Sequence, residues 1–406
     1  MPISSPSTHH IALFEPDPSG HRMVFVRYIL EAMVRRGDMR ATLILFPKAT
    51  HAPQVEALRN TYGSILDIHV VKEPDPVRGP MALSGKLSRQ LGHARRLREA
   101  VARLQEKGRV DHVHIPFADD YALFPFAMRR RPFGETPWSG IAIRPRFHLA
   151  RAGAVVPARP EDRVEAWAYR GLLRSRTLQT LFSIDPFLAE QVSNPRVQTV
   201  CDPTDIIRRK SRRDWLQADP DATVILAYGH VDHRKAIDRL LSAACAPEVP
   251  SSLVVALVGV QDPAMQSVME GPAAAILRSQ GRLIEVARHV DADEEASAFA
   301  RADIVWCYYP GSYCSSGAMV RAGQMGRSLL ATEEGLVGHL TRLHGLGLTA
   351  PERDDAALTR RLAQLAHDAS LRARFGAAGA QYFAAATGEA FGELIVEAFV
   401  RREIAA

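Results

Sequence analysis

Short apolar runs alternate with longer amphipathic stretches along nearly the whole chain, and this alternation restricts the fold more than any other feature. A run such as Leu253–Val258 has no polar side, so it must be covered on both faces. Strands of that kind, separated by helix-length amphipathic segments, build parallel sheets with helices on either side. The first series of expected strands is Ile11–Phe14, Ala41–Phe46, Ile65–Val71, Val110–Ile115, Gly140–Ile143 and Leu178–Ile184. A helix over about Arg22–Arg36 follows the first. The longest expected helix, Ser84–Lys107, is basic and sets Leu87, Leu91, Leu97, Val101 and Leu104 on its buried side. A polar stretch rich in Pro and charge, Asn194–Arg213, then interrupts the pattern and marks a domain boundary near residue 205. The second series has strands over Thr223–Tyr228, Leu253–Val258, Leu283–Ala287, Asp303–Cys307 and Ser328–Thr332. Its helices are expected over His233–Ala244, Pro263–Ser279, Asp293–Arg301 and Ser315–Met325. Beyond about Pro351 everything reads as helix, ending in Glu389–Glu403. At 406 residues the chain exceeds one ordinary core. Two doubly wound α/β domains in series are therefore expected. Ligands of such domains bind at the carboxyl ends of the strands, here in the cleft between the two.

No apolar run reaches the roughly 18 residues that a membrane-spanning helix needs. Met1–His10 has no basic region followed by an apolar stretch, so no secretory leader is expected there. The four cysteines, Cys201, Cys245, Cys307 and Cys314, form no Cys-x-x-Cys pair. A reducing cytoplasm is the expected compartment. The net charge of +6 is uneven: residues 1–204 hold 29 Lys and Arg against 20 Asp and Glu, and residues 205–406 hold 22 against 25. A basic N-terminal half suits an anionic neighbour such as a membrane surface, a phosphorylated acceptor or nucleic acid. It equally suits Arg-rich solvated helices, and nucleic acid is not expected. The basic helix and the run Arg129-Arg130-Arg131 permit peripheral membrane contact, although the sequence shows no apolar anchors beside them.

Two segments of the second half carry chemistry. The first runs from Tyr228 through Gly229-His230-Val231-Asp232-His233-Arg234-Lys235-Ala236. A Gly closing a strand lets a ligand approach the backbone. Arg234 and Lys235, near a helix start, suit a diphosphate, though cations there are common on solvated faces. The second runs from Tyr308-Tyr309-Pro310-Gly311-Ser312-Tyr313-Cys314 into Ser315-Ser316-Gly317 and Arg321. Gly and Ser at a helix start present backbone N–H groups and a favourable dipole to phosphate. Plain capping explains the serines as well. Arg321 follows Gly317 by one helical turn, on the same face.

In this order the two segments resemble the C-terminal domain of GT-B glycosyltransferases, especially the glycogen-synthase-like, retaining branch. The resemblance covers residues 223–350 well and residues 10–200 in outline. In that family a Gly-rich strand end precedes an Arg or Lys and then Lys-Gly. Gly229, His230, Lys235 and Ala236 fall at those places, with His230 replacing the Arg and Ala236 the Gly. Gly259 matches the Gly closing the family's next strand, and Arg288-His289-Val290 resembles its base-binding turn. The family also has two Glu residues eight positions apart, one supporting the transferred sugar and one the ribose. Alignment by Gly326 puts Tyr313 and Arg321 there. Arg cannot accept a hydrogen bond, so Arg321 would contact the diphosphate instead.

The resemblance implies two Rossmann-like domains facing across a cleft. Residues 1–204 would hold the acceptor, residues 205–385 the nucleotide-sugar donor, and the helix 386–406 would pack back on the N-terminal domain. The donor would be a nucleotide diphosphate sugar. The acceptor, a sugar, a lipid-linked group or a small molecule, stays unassigned. In the N-terminal half the acceptor residues are expected to be Gly20, His21, Asp120, Arg144 and Arg146, with His114 or Asp119 as the base and Lys235 opposite as the leaving-group cation. His114 reads equally as an ordinary strand residue, and the Asp pair as a helix cap. Gly79–Lys86 mimics a phosphate loop with wrong spacing, and no Gly-x-Gly-x-x-Gly follows the first strand. Neither cofactor nor metal is expected. A nucleotide-sugar epimerase and a degenerate binding module of the same fold are the competing expectations.

Overall fold

The computed structural model describes residues 8–18, 22–74 and 85–401. Two compact units divide the chain. One comprises the chain up to His148, Ala158–Cys201 and the chain from Gly388 onward; the other comprises Leu149–Pro157 and Asp202–Thr387.

The first unit holds seven strands: β1 His9–Phe14, β2 Met39–Leu45, β3 Leu66–Val70, β4 His112–Ile115, β5 Trp138–Ala142, β6 Leu178–Ser183 and β7 Val197–Thr199. Their order is β3-β2-β1-β4-β5-β6-β7, with every pairing parallel. β1, β4, β5 and β6 are almost wholly buried, as strands covered on both faces must be. The helix Gly85–Lys107 buries Leu97, Val101 and Leu104 but leaves Leu91 exposed, which corrects its expected buried side. Ser84 and the phosphate-loop mimic up to residue 84 lie outside the described residues. The terminal helix Gly388–Val400 packs on the helix Arg22–Arg36, its Phe391 ring 4.8 Å from Phe25.

The second unit is a six-stranded parallel sheet: β8 Thr223–Tyr228, β9 Leu253–Val258, β10 Leu283–Val286, β11 Ile304–Cys307, β12 Ser328–Thr332 and β13 Gly347–Ala350, ordered β10-β9-β8-β11-β12-β13. Three expected helices differ. His233–Ala244 divides into a 3-10 turn, His233–Lys235, and a helix, Ile237–Ala244, at the left-handed Ala236. Pro263–Ser279 breaks before Pro272, which starts its own helix. The helix expected from Ser315 begins at Gly317.

His112 and His114 show how far the first unit excludes water. Both lie fully buried on one face of β4, each ring 2.8 Å from the Ser139 hydroxyl, and Phe399 of the terminal helix covers them. Burial disfavours the imidazolium, pushing His112 down to about 3 and His114 well below its ordinary value. The unfolded chain takes up a proton near pH 6.5 while the folded histidine stays neutral. This contribution to stability is thus present above pH 6.5 and is lost as the pH falls towards the folded value. Each such histidine favours unfolding by about 1.4 kcal/mol when the pH drops from about 7.5 to about 5.5. Gln can reach the same hydroxyl without titrating. In urea titrations of His112→Gln, stability at the higher pH minus that at the lower is expected to fall by about 1.4 kcal/mol relative to the parent chain.

Candidate functional site

In the second unit the expected donor residues converge on the carboxyl ends of β8, β9 and β11. Gly229 closes β8 with φ 93° and Gly259 closes β9 with φ 133°. A Cβ on Gly259 would stand 2.2 Å from the Gly229 carbonyl oxygen, so these strand ends meet backbone to backbone. Lys235 reaches into the space beside them. Its ammonium donates to the Tyr228 carbonyl oxygen at 2.5 Å and lies 5.1 Å from the centre of the Tyr309 ring. The Trp306 indole N–H donates to the Lys235 carbonyl oxygen at 2.7 Å and fixes the backbone there. Burial lowers the Lys235 pKa from its ordinary value, and no carboxylate pairs with it among the described residues.

The other expected cations are already paired. Arg234 grips Asp232 at 2.6 and 2.9 Å. Arg288 makes a two-point contact with Glu294, which also completes a capping box with Asp291. Arg321 is the expectation that changes most. Its Nε lies 2.5 Å from Glu295, it donates to the Gly317 carbonyl oxygen at 3.0 Å, and its side chain is only 11% exposed. Glu295 also bonds the Tyr228 hydroxyl, whose pKa burial and this carboxylate raise. Arg321 is therefore a neutralised structural cation and not a free diphosphate ligand. Glu295 was missed by sequence reasoning. The signal was a Glu one turn before the fully buried Phe299, on a helix face that needs a cation to accept it.

The remaining donor candidates divide by exposure. His230 is exposed, 3.7 Å from Asp262, and His289 is exposed as well, whereas Val290 is buried. Ser315 donates to Asp202 at 3.0 Å, and Ser316 occupies the N-cap without a side-chain capping bond, so Ser315 is not a cap. Gly317 opens the helix. Tyr313 is buried, and its carbonyl accepts from the Leu336 N–H at 3.0 Å. Two further carboxylates, missed by sequence reasoning, follow β12. Glu334 accepts from the Glu352 N–H, and burial raises its pKa; Glu333 is half-buried beside it.

In the first unit Asp119, Asp120, Arg144 and Arg146 line one concavity of about 620 Å³ together with Leu123, Phe124 and Trp167. Gly20 and His21 lie outside the described residues. Asp119 is committed to structure: one oxygen accepts from the Tyr169 hydroxyl at 2.5 Å, and the other from the N–H groups of Ile143 and Arg144 at 2.5 and 2.9 Å. Those bonds hold the turn after β5 and leave it unsuited to serve as a base. His114, sealed under Phe399, cannot reach an acceptor and is corrected for that reason. Asp120 joins Arg22 and Arg144, and Arg22 continues to the buried Glu15 at 3.1 Å. Burial outweighs that cation and pushes the Glu15 carboxyl up to about 7. Arg146 pairs with Asp162 at 2.9 Å. A further buried pair, His148 with Asp185 at 2.9 Å, stands past the ends of β5 and β6 and had no sequence signal.

No family model matches the chain, and no curated protein does. Solved structures match over nearly all of its length. Sucrose-phosphate synthase from Thermosynechococcus elongatus is 16% identical, with a TM-score of 0.66 over 96% of this chain and 98% of that one. HepE from Anabaena, in complex with UDP, is 14% identical, with a TM-score of 0.66 over 96% and 99%. WaaG, a glycosyltransferase involved in lipopolysaccharide biosynthesis, is 14% identical, with a TM-score of 0.61 over 96% and 99%. The chain has the GT-B fold. Its strand-end glycines, its Lys235 and its helix start at Gly317 thus stand within a GT-B C-terminal sheet.

Two consequences are measurable. Ala236, where the resemblance implies Gly, holds φ 46°, a left-handed backbone that costs a residue with a Cβ about 1–2 kcal/mol. Ala236→Gly is expected to raise the unfolding free energy by about 1 kcal/mol, net of the added chain entropy. A later urea midpoint reads this. Glu295→Ala strands the Arg321 cation in a closed site and is expected to cost about 3–5 kcal/mol in the same measurement.

Proposed function

We propose that the chain is a glycosyltransferase that moves a sugar from a nucleotide diphosphate sugar to an acceptor hydroxyl. The observation that carries this reading is Lys235. Among the cations of the GT-B strand ends it alone has no carboxylate partner among the described residues, and it stands beside the backbone gap at Gly229. A cation held there is pre-organised for charge that develops on a leaving diphosphate. The N–H groups at the Gly317 helix start add dipole and donors for the phosphates, so leaving-group stabilisation needs no metal. HepE, solved with UDP and with UDP-glucose, is consistent with this donor class. The sugar transferred would be a hexose, and the product a glycan or glycoconjugate.

An epimerase is the second reading, because a putative UDP-N-acetylglucosamine 2-epimerase from Listeria monocytogenes is 12% identical with a TM-score of 0.60. It would convert its nucleotide sugar without any acceptor. The replacement of the paired Glu residues by Tyr313 and Arg321 is the feature that favours a third reading, a degenerate, sugar- or partner-binding module of the same fold.

Calorimetry against UDP, GDP, dTDP, ADP and CMP and their sugar conjugates tests the donor site. One nucleotide is expected to bind specifically, and Lys235→Ala to weaken it about 10- to 100-fold, the worth of one charge-assisted contact. Unchanged affinity in Lys235→Ala would remove the residue from the site. Turnover of the bound sugar nucleotide in the absence of acceptor would favour the epimerase.

A further inference from the structure

The first unit presents a face where exposed apolar side chains and unpaired arginines stand together. It is made by the end of the helix Leu123–Ala127, the residues just after it, and the helix Pro160–Leu172. The two helices touch at Gly171, where a Cβ would stand 2.8 Å from the Ala127 carbonyl oxygen. Beside this contact lies a hollow of about 310 Å³ lined by Met128, Arg129, Arg130, Trp167, Arg170 and Arg174. None of these four arginines makes an ion pair among the described residues. Their next neighbour, Arg131, is paired with Glu135. Arg98 on the helix Gly85–Lys107 has its pKa lowered by burial first and by the nearby Arg129 second, so positive charge extends beyond the hollow. Three large apolar side chains rim the same face: Met128 is 73% exposed, Val164 53% and Trp167 51%. Val164, Trp167 and Arg170 follow one another at helical spacing and so share a side of their helix.

We propose that this face docks on an anionic lipid bilayer. The arginines provide bidentate donors for headgroup phosphates, one of which the hollow can hold. Trp167 suits the headgroup level, where its ring is buried and its N–H stays wet. Met128 and Val164 gain from the acyl boundary and would gain nothing from a soluble phosphate or a polyanion. The apolar anchors that the sequence did not reveal are thus supplied by two helices brought side by side. Of the three acidic residues of the same helix, Asp162 is held by Arg146 and Glu165 by the Arg146 and Phe147 N–H groups. Glu161 is exposed, but it stands in the first turn, at the end remote from Arg170 and Arg174.

The test uses the full chain and co-sedimentation with vesicles of phosphatidylcholine, alone or mixed with phosphatidylglycerol, at low salt. Binding is expected to the mixed vesicles only and to fade with added salt. Arg170→Ser with Arg174→Ser should weaken it about 25-fold, from about 1 kcal/mol for each basic residue at the surface. Trp138 and Trp306 are fully buried and Trp215 is half-buried, so the loss of a vesicle-induced blue shift of tryptophan fluorescence in Trp167→Phe is what assigns the shift to Trp167 and supports insertion. If the arginine pair alters the unfolding midpoint, Arg129→Ser with Arg130→Ser carries the same test. Equal binding to both vesicle types, or binding indifferent to the arginine variants, overturns the proposal. So does saturable binding of inorganic phosphate without vesicle binding, which would assign the hollow to a soluble phosphate. Nucleotide binding measured in parallel is independent of these outcomes.

Discussion

The backbone contact between the ends of β8 and β9 sets the terms for everything around the donor candidates. No side chain can stand between Gly229 and Gly259, because a Cβ on Gly259 would overlap the facing carbonyl. The carboxyl ends of these two interior strands are therefore bare of side chains, and the Lys235 ammonium stands over them, 3.8 Å from where a Cβ on Gly229 would be. The position of the lysine depends in turn on the left-handed Ala236, which ends the 3-10 turn and redirects the chain into the helix Ile237–Ala244. The strain accepted at that residue, the indole bond to the Lys235 carbonyl and the cation's nearness to Tyr309 belong to one arrangement. It holds an ammonium in place before any ligand arrives, and such pre-organisation is what makes a cation useful to a leaving group.

The Arg321–Glu295 pair shows how the same fold absorbs a reversal of charge. Where the resemblance implies a carboxylate, this chain has a guanidinium. A buried cation without a partner would be costly. The neighbouring helix supplies Glu295, which also takes the Tyr228 hydroxyl, so the pair ties the end of β8 to the helix Gly317–Gln324. The local net charge is therefore close to that of a site with no ion at all. Under the proposed function, the charge of a diphosphate would fall to Lys235 and the N–H groups at the Gly317 helix start, the arginine being already paired.

Much of this architecture was legible because burial on both faces leaves a plain mark in sequence: the apolar runs from Ile11 to Thr332 lie on or within a residue or two of the strands. β7 and β13 escaped because they are short and, at the sheet edges, lack that continuous apolar character. Helix bounds failed where a single backbone conformation decided them, as at Ala236 and before Pro272. The candidate side chains were legible in place but not in state. Gly229, Lys235 and Gly317 could be placed because backbone shape and helix starts follow from local sequence. The partners of Arg234 and Arg288, Asp232 and Glu294, stand close by in sequence and were overlooked, whereas Glu295 is a neighbour of Arg321 only in space and left no local sign. Asp119 failed for the same reason: its three donors come from Tyr169, Ile143 and Arg144, brought to it by the sheet.

The basic excess of residues 1–204 takes on a different meaning once partners are known. Solvated helices would be expected to carry their arginines paired at helical spacing, as Arg27 with Glu31 and Arg95 with Glu99 are. Arg22, Arg144 and Arg146 are consumed by Glu15, Asp120 and Asp162 in holding the strand ends. Arg129, Arg130, Arg170 and Arg174 fit neither pattern. They crowd one hollow beside an exposed indole, where like charges repel and folding alone offers no reward for gathering them. An arrangement that raises the energy of the isolated chain is best explained by something that lowers it on contact, and an anionic surface does so through every one of those side chains at once.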